Sequence, residues 1–104
     1  MNEHGYTRQN LLKGLPYTIS RLPEPVQFGP EGVADRVPKD HAKRVAEAQQ
    51  TLSAILRHVE NNAGQGYVDC MAEVIYACEV TVYYIPSSRG YTAADMLPYE
   101  GWEE

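Results

Sequence analysis

Aromatic and basic side chains alternate along the first part of the chain, and together they could bind a phosphate-bearing ligand. Aromatic rings stack on bases, while guanidinium and ammonium groups pair with phosphate oxygens. This mixture suits a small anionic ligand such as a nucleotide better than a long duplex. The alternative is that Tyr17 and Leu22 pack against the rest of the protein while the charges face water. The candidate ligand-binding residues are Tyr6, Arg8, Lys13, Tyr17, Arg21, Lys43 and Arg44.

The end of the chain offers a second chemistry, because aromatic anchors there stand among carboxylates. This pattern is typical of segments that dock on a basic protein, with the rings as anchors and the acids matching the partner's charge. The alternative is that the rings close over the helices while the acidic end frays. The candidate partner-binding residues are Tyr91, Tyr99, Trp102 and Glu103.

No motif in the sequence demands catalysis or a metal. The histidines, His4, His41 and His58, lack the spacing that directs two imidazoles at one ion. Asp69 and Glu73 could share a proton or a cation, but they also fit the one solvent-exposed face of an otherwise buried helix. We therefore expect no enzymatic activity, no catalytic residue, no cofactor and no metal site.

The net charge of −5 argues against a duplex-binding protein, which needs a clustered basic surface. Residues 1–52 carry seven basic and six acidic side chains, whereas residues 53–104 carry two and eight. The acidity therefore belongs to the second half of the chain. No run approaches about eighteen apolar residues, and residues 1–5 lack the features of a signal peptide. We expect no membrane association and a cytoplasmic location.

Residues 39–62 predict the clearest helix. Apolar residues recur there at spacings of three and four, which places them on one helical face. Asp35 or Asp40 is expected to cap the start, with Pro38 in the first turn, and residues 61–64 to end the helix. The predicted buried face is Val45, Ala48, Leu52, Ile55 and Val59.

A second helix is predicted between Gly66 and Pro86, where nineteen residues contain no internal glycine or proline. This length favours a helix at least to Glu79. Residues 80–85 are β-branched or aromatic, so helix and strand both remain open there. The two cysteines, Cys70 and Cys78, are expected to be buried, reduced thiols.

The segment before the helices is expected to be an extended arm, because five of the seven prolines lie in residues 1–38. Thr7 is expected to cap one or two helical turns that Gly14 and Pro16 stop. Residues 17–22 alternate in polarity, as a short strand or an extended arm does.

Residues 86–104 are predicted to form a short acidic and aromatic tail. Thr92 and Asp95 have the spacing of a capping box. This spacing predicts one helical turn that carries Met96 and Leu97.

The predicted fold is a mainly α single domain over residues 1–104. It consists of the Pro-rich arm at 1–38, an antiparallel two-helix hairpin at 39–85 and the tail at 86–104, because the link between the helices is short. The second helix is apolar on nearly all sides, and a lone hairpin of this size has too little core to be stable. We therefore expect a homodimer or a larger homo-oligomer. A monomer wrapped by its own arm and tail is the alternative.

This layout, with the segment Glu73-Val74-Ile75-Tyr76-Ala77-Cys78, resembles the helical hairpin of small phage proteins that sequester cyclic nucleotide immune signals. The resemblance covers residues 39–85 at most. It implies hairpins that assemble into oligomers and bind ligand without catalysis, through aromatic and basic residues. The chain has Gly64-Gln65-Gly66-Tyr67 where that family has a Ser-Arg-Glu segment. No site residue is therefore carried over from the family.

Two functions follow from these patterns. The first is a non-enzymatic binding protein that sequesters a small nucleotide signal, as a phage counter-defence protein would. The alternative is an inhibitor or adaptor that docks its acidic aromatic tail on a basic host protein.

Overall fold

Three helices make up most of the described backbone in a computed structural model, which describes residues 2–26, 36–92 and 95–98. Helix α1 spans Arg8–Ser20, α2 spans Lys39–Glu60 and α3 spans Gln65–Tyr83. Two short strands, β1 at Arg36–Pro38 and β2 at Met96–Pro98, pair with each other. The prediction of a mainly α protein is confirmed.

Helix α2 has the buried face that its spacing predicts. All five predicted residues are buried, so the apolar stripe faces the core. The predicted cap at Asp40 is wrong, since Pro38 is the N-cap and Asp40 lies in the first turn. Asp35 lies outside the described residues. The predicted end is confirmed, because Asn61 is the C-cap and Asn62 adopts a left-handed backbone with φ of 76°.

Helix α3 covers residues 80–83 of the segment 80–85 that the sequence left undecided. It begins at Gln65 and ends at Tyr83, with Tyr84 as its C-cap. Val82 is fully buried in the core cluster, and the Thr81 hydroxyl donates to the Ala77 carbonyl. Burial of Val82 therefore outweighs the weak helix propensity of β-branched residues in this segment.

The prediction of an extended arm is wrong for Arg8–Ser20, which forms α1. Thr7 caps this helix as predicted, its Oγ1 accepting from the Asn10 N–H at 3.1 Å. The helix passes the expected stops because Leu11 and Leu15 are buried against α2 and α3. Pro16 lies on the exposed side, where water can reach the carbonyl that loses its helical partner.

One core joins the three helices. Leu11 and Leu15 of α1 lie in the same buried cluster as Leu52 of α2 and Ile75 of α3. The start of α2 lies beside the end of α3, since the rings of His41 and Tyr84 are 5.8 Å apart. At the other end, the rings of His58 and Tyr67 are 5.4 Å apart. The first segment of the chain therefore supplies a third packed helix.

The strand pair ties the region before α2 to the region after α3. Val37 pairs with Leu97 in an antiparallel register, and Pro38 pairs with Met96. The predicted helical turn at Met96 and Leu97 is therefore wrong, because their backbone lies in this strand pair. Half of the predicted capping box forms, as the Thr92 N–H donates to Asp95 Oδ2 at 3.2 Å. Residues 27–35 of the predicted arm lie outside the described residues.

Candidate functional site

Arg8, a predicted ligand residue, holds the end of α2. Its Nε donates to the Ala63 carbonyl at 2.6 Å, and its Nη2 donates to the Val59 carbonyl at 2.9 Å. The Val59 carbonyl lies in the last turn of α2, where it also accepts from the Asn62 N–H at 3.1 Å, and the Ala63 carbonyl lies in the loop after the helix; carbonyls at a helix C-terminus carry partial negative charge. The Arg8 guanidinium therefore donates its hydrogen bonds to backbone carbonyls of the protein itself.

Arg21, a second predicted ligand residue, is also engaged within the protein. Its guanidinium pairs with Glu24 and stacks over the Tyr83 ring, with 4.7 Å from Cζ to the ring centroid. Its carbonyl accepts from Gln49 Nε2 at 2.6 Å. These contacts fasten the end of α1 to α2 and α3.

The remaining predicted cations lie at separate places on the surface. Lys13 and Tyr17 are exposed and four residues apart on α1, so they share a face. Lys43 is exposed on α2. Three different pockets are lined by Tyr6, Arg8 and Arg44 respectively. The structure therefore does not bring the seven predicted ligand residues to one place.

Of the predicted partner-binding residues in the tail, Tyr91 lies within the described part of the chain. Its hydroxyl donates to Asp40 Oδ2 at 3.4 Å. Burial and the neighbouring carboxylate raise the pKa of Tyr91. Tyr99, Trp102 and Glu103 lie outside the described residues.

An aromatic pocket lies where residues 2–6 meet α3, and we call it the α3 pocket. Its volume is about 410 Å³. Sequence reasoning placed only Tyr6 in a candidate site. The spacing of Tyr76, Val80 and Tyr83 on one helical face was the signal that could have revealed the others. The lining residues are His4, Tyr6, Tyr76, Glu79, Val80 and Tyr83.

Residues 2–6 are fastened along α3 by polar contacts. Asn2 Nδ2 donates to Asp69 Oδ1 at 2.7 Å, and His4 Nε2 lies 3.0 Å from Glu73 Oε2. The His4 ring stacks on Tyr76, with centroids 4.4 Å apart and planes inclined by 9°. Hydrogen bonds from Gln65 and Asn2 lower the pKa of Asp69 to about 2. The carboxylates of Asp69 and Glu73, for which the sequence predicts a solvent-exposed face of the helix, therefore hold residues 2–6 in place.

The α3 pocket combines aromatic faces with negative charge. The Tyr6 hydroxyl donates to Glu79 Oε1 at 2.8 Å. Burial, followed by this bond to Glu79, raises the pKa of Tyr6 well above its usual value, so the phenol keeps its proton. Aromatic faces and carboxylates both attract a cation. The geometry therefore suits an organic cation or a basic side chain.

The prediction that both cysteines are buried is wrong. Cys70 is exposed on α3, while Cys78 is half-buried against the core, where burial raises the pKa of its thiol. Cys70 falls on the exposed side because Ala72 and Ile75 occupy the buried side.

No family model, no curated protein and no solved structure matches this chain. Within residues 2–26, 36–92 and 95–98, no three His, Cys, Asp or Glu side chains are grouped as metal ligands. None of the helices in this described part is both long and apolar enough to cross a membrane.

Proposed function

We propose that this chain is a non-enzymatic binding protein whose α3 pocket receives a lysine or arginine side chain of a basic partner protein. One observation carries the proposal: the rings of Tyr6, Tyr76 and Tyr83 line an open pocket together with the Glu79 carboxylate, and one face of Tyr83 already holds the Arg21 guanidinium. This function belongs to the same class as docking on a basic host protein, with α3 in place of the tail as the contact surface.

The expected affinity requires more than one side chain. A cation over aromatic rings contributes about 0.5–2 kcal/mol, and an exposed ion pair contributes at most about 1 kcal/mol. The partner must therefore also cover apolar surface. Tyr76, Val80 and Tyr83 line the pocket and are exposed, so they supply that surface.

The charge of the chain supports a basic partner over a second copy. Glu73 and Glu79 both lie at this face, and two copies of a chain with net charge −5 repel each other. Self-association through α3 is the competing proposal, and light scattering on a sizing column measures it. A dimer at micromolar concentration would favour a second copy as the occupant of this face.

The test uses a hexa-arginine peptide and a hexacitrulline peptide, which has nearly the same shape without the charge. Calorimetry should detect binding of the hexa-arginine peptide and no binding of the hexacitrulline peptide. Tyr76→Ala should weaken hexa-arginine binding about twofold to thirtyfold, and Glu79→Gln should weaken it by up to about fivefold. Tyr17→Ala removes an exposed ring on α1, and Glu60→Gln removes an exposed charge on α2, so they are the matched controls.

Two outcomes would contradict the proposal. Equal binding of the two peptides would show that charge is not recognised. Equal losses in the pocket variants and their controls would show general attraction to an acidic protein. A variant without residues 99–104 distinguishes the α3 pocket from the tail. If this variant loses binding and the pocket variants do not, the tail is the surface that binds the partner.

The second candidate function is sequestration of a small nucleotide signal, as in phage counter-defence. Lys13 and Tyr17 support it, since an exposed cation and an exposed ring share one face of α1. Titration calorimetry against a panel of cyclic nucleotides tests it, with Lys13→Gln as the variant and Arg57→Gln, at an exposed cation on α2, as the control. No heat from any nucleotide would reject this candidate. A nucleotide recovered intact from the denatured protein would show binding without turnover.

A further inference from the structure

The exposed side of α3 is a continuous apolar and aromatic surface, which we call the α3 outer face. Between Cys70 and Tyr83, every exposed side chain except that of Glu73 is uncharged. The large apolar and aromatic ones are 39% to 49% exposed. Large contiguous apolar patches on folded proteins mark interaction sites. The residues of the face are Cys70, Val74, Tyr76, Ala77, Val80 and Tyr83.

The charges along α3 indicate the sign of the partner that covers this face. Helix α3 carries the carboxylates of Asp69, Glu73 and Glu79 and contains no lysine or arginine. The Glu73 side chain is 77% exposed. The Tyr6 hydroxyl that donates to Glu79 is neutral, so it does not cancel the charge of that carboxylate. A basic partner is therefore attracted, whereas a nucleic acid, an anionic membrane and a second copy with the same carboxylates are repelled.

The side chain of Arg44 limits the acidic part of the face. With Val80 and Tyr84 it lines a separate cavity beside the end of α3. We therefore expect the cations of the partner near Glu73 and the α3 pocket, and not near Tyr84.

The shape of the face favours a helical partner over an extended one. The backbone N–H and C=O groups of α3 bond to each other within the helix, so an extended segment would find no backbone partners here, whereas a helix satisfies its own. The exposed side chains recur at spacings of three and four, as they do on helix faces that pack together.

Small side chains on the face leave room for the side chains of such a partner. Cys70 and Ala77 alternate with Val74 and Val80, so depressions lie between the larger residues. From Cys70 to Tyr83 the face is about 20 Å long, which is the length of a helix of about fourteen residues.

We propose that the α3 outer face binds an amphipathic α-helix of the partner, with its apolar stripe on Val74, Ala77 and Val80 and with a flanking lysine or arginine in the α3 pocket. This inference rests on the proposed function, because the same partner supplies the cation. It adds the secondary structure of the partner segment, which the α3 pocket alone does not determine.

The experiment adds three peptides of about fourteen residues to the full chain, with calorimetry and circular dichroism as the measurements. The first is a leucine–lysine peptide with its leucines at helical spacing. The second has the same residues in an order that scatters the leucines around the helix, and the third has glutamate in place of lysine. The first should bind and become more helical, the second should bind about tenfold more weakly or worse, and the third should not bind.

Ala77→Gln tests whether the peptide lies on this face. It places a larger neutral side chain at the centre of the face and leaves the charge of the protein unchanged. It should weaken binding of the amphipathic peptide about tenfold, because the helices can no longer approach closely, and it should leave hexa-arginine binding unchanged. Ala54→Gln is the matched control, since Ala54 is also exposed but lies on α2.

Four results would overturn the inference. The first is equal binding of the amphipathic and scattered peptides, and the second is binding without a gain in helix. The third is an equal loss in Ala77→Gln and Ala54→Gln, which would place the peptide elsewhere. The fourth is a dimeric chain that becomes monomeric in Ala77→Gln, which would assign the face to a second copy.

The hexa-arginine peptide separates this inference from the proposed function. Hexa-arginine binding together with equal binding of the amphipathic and scattered peptides would keep the α3 pocket and reject the helical partner. Tight binding of the amphipathic peptide that Ala77→Gln weakens, without any hexa-arginine binding, would keep the helix-binding face and reject the pocket as a site for a cation.

Discussion

Truncation of Leu15 to alanine should destabilise the protein strongly, because α1 is part of the core. The Leu15 side chain is 0% exposed and packs in the cluster that joins all three helices. Leu→Ala removes three carbons, whose transfer from water accounts for about 2.4 kcal/mol at about 0.8 kcal/mol per methylene. The cavity left behind raises the expected loss to about 3–5 kcal/mol.

That loss is a large share of the stability that a domain of this length has. A chain of 104 residues has a free energy of unfolding of about 5–15 kcal/mol. The matched control is Leu12→Ala on the same helix, since Leu12 is 38% exposed. Because more than half of the Leu12 surface is still buried, its truncation is expected to lower the free energy of unfolding by about 1–1.5 kcal/mol, well below the loss at Leu15.

Urea unfolding followed by circular dichroism at 222 nm measures both variants. The midpoint of Leu15→Ala should fall far below that of the wild type, while the slope of the transition stays unchanged. Similar small losses in the two variants would mean that α1 lies loosely on the surface. That result would refute the three-helix core and would support the predicted extended arm.

Three further predictions concern α1 and the contacts around it. Pro16→Ala should raise the urea midpoint, because proline in a helix interior costs about 3 kcal/mol, offset in part by its restriction of the unfolded chain; an unchanged or lower midpoint would show that α1 does not pass through this residue as a helix. Arg8→Ala should lower the free energy of unfolding by about 1–3 kcal/mol in the same assay, because it removes two hydrogen bonds to carbonyls at the end of α2; a loss no larger than that of Lys13→Ala would argue against this role. Hydrogen bonds lower the pKa of Asp69 from 3.8 to about 2, so its contribution to stability is complete above the unfolded pKa and disappears as the pH falls towards 2. Acid titration should therefore show a smaller loss of stability between pH 5 and 2 in Asp69→Asn than in the wild type, and identical profiles would contradict the hydrogen bonds at Asp69.

Local patterns were sufficient for α2 and most of α3. The apolar spacing of α2 depends on residues three and four apart, and the same residues form its buried face. The strand pair of β1 and β2 could not be predicted, because its two halves are about sixty residues apart and neither has a strong strand pattern alone. The stop expected at Pro16 was wrong because the penalty of proline is local, whereas the burial of Leu15 depends on distant residues.

The α3 pocket also combines features that are visible in the sequence with features that depend on the tertiary structure. The spacing of Tyr76, Val80 and Tyr83 is visible in the sequence, yet the His4 and Tyr6 rings join them only when residues 2–6 lie along α3. Side-chain type also did not reveal that the Arg8 guanidinium donates to the Val59 carbonyl of α2 and to the Ala63 carbonyl just after it. A cation in a sequence has the same chemistry whether its partner is a ligand or the protein itself.

The sequence by itself determined that the protein is mainly helical and where its second and third helices lie, since helical periodicity is a property of neighbouring residues. Only the tertiary structure decided that the first segment is a packed helix, which basic side chains remain available, and that the Nε2 atom of His41 is buried without a hydrogen-bond partner. These features depend on contacts between residues far apart in the chain. Hydrophobic burial and the satisfaction of buried polar groups select them, and neither has a local signature.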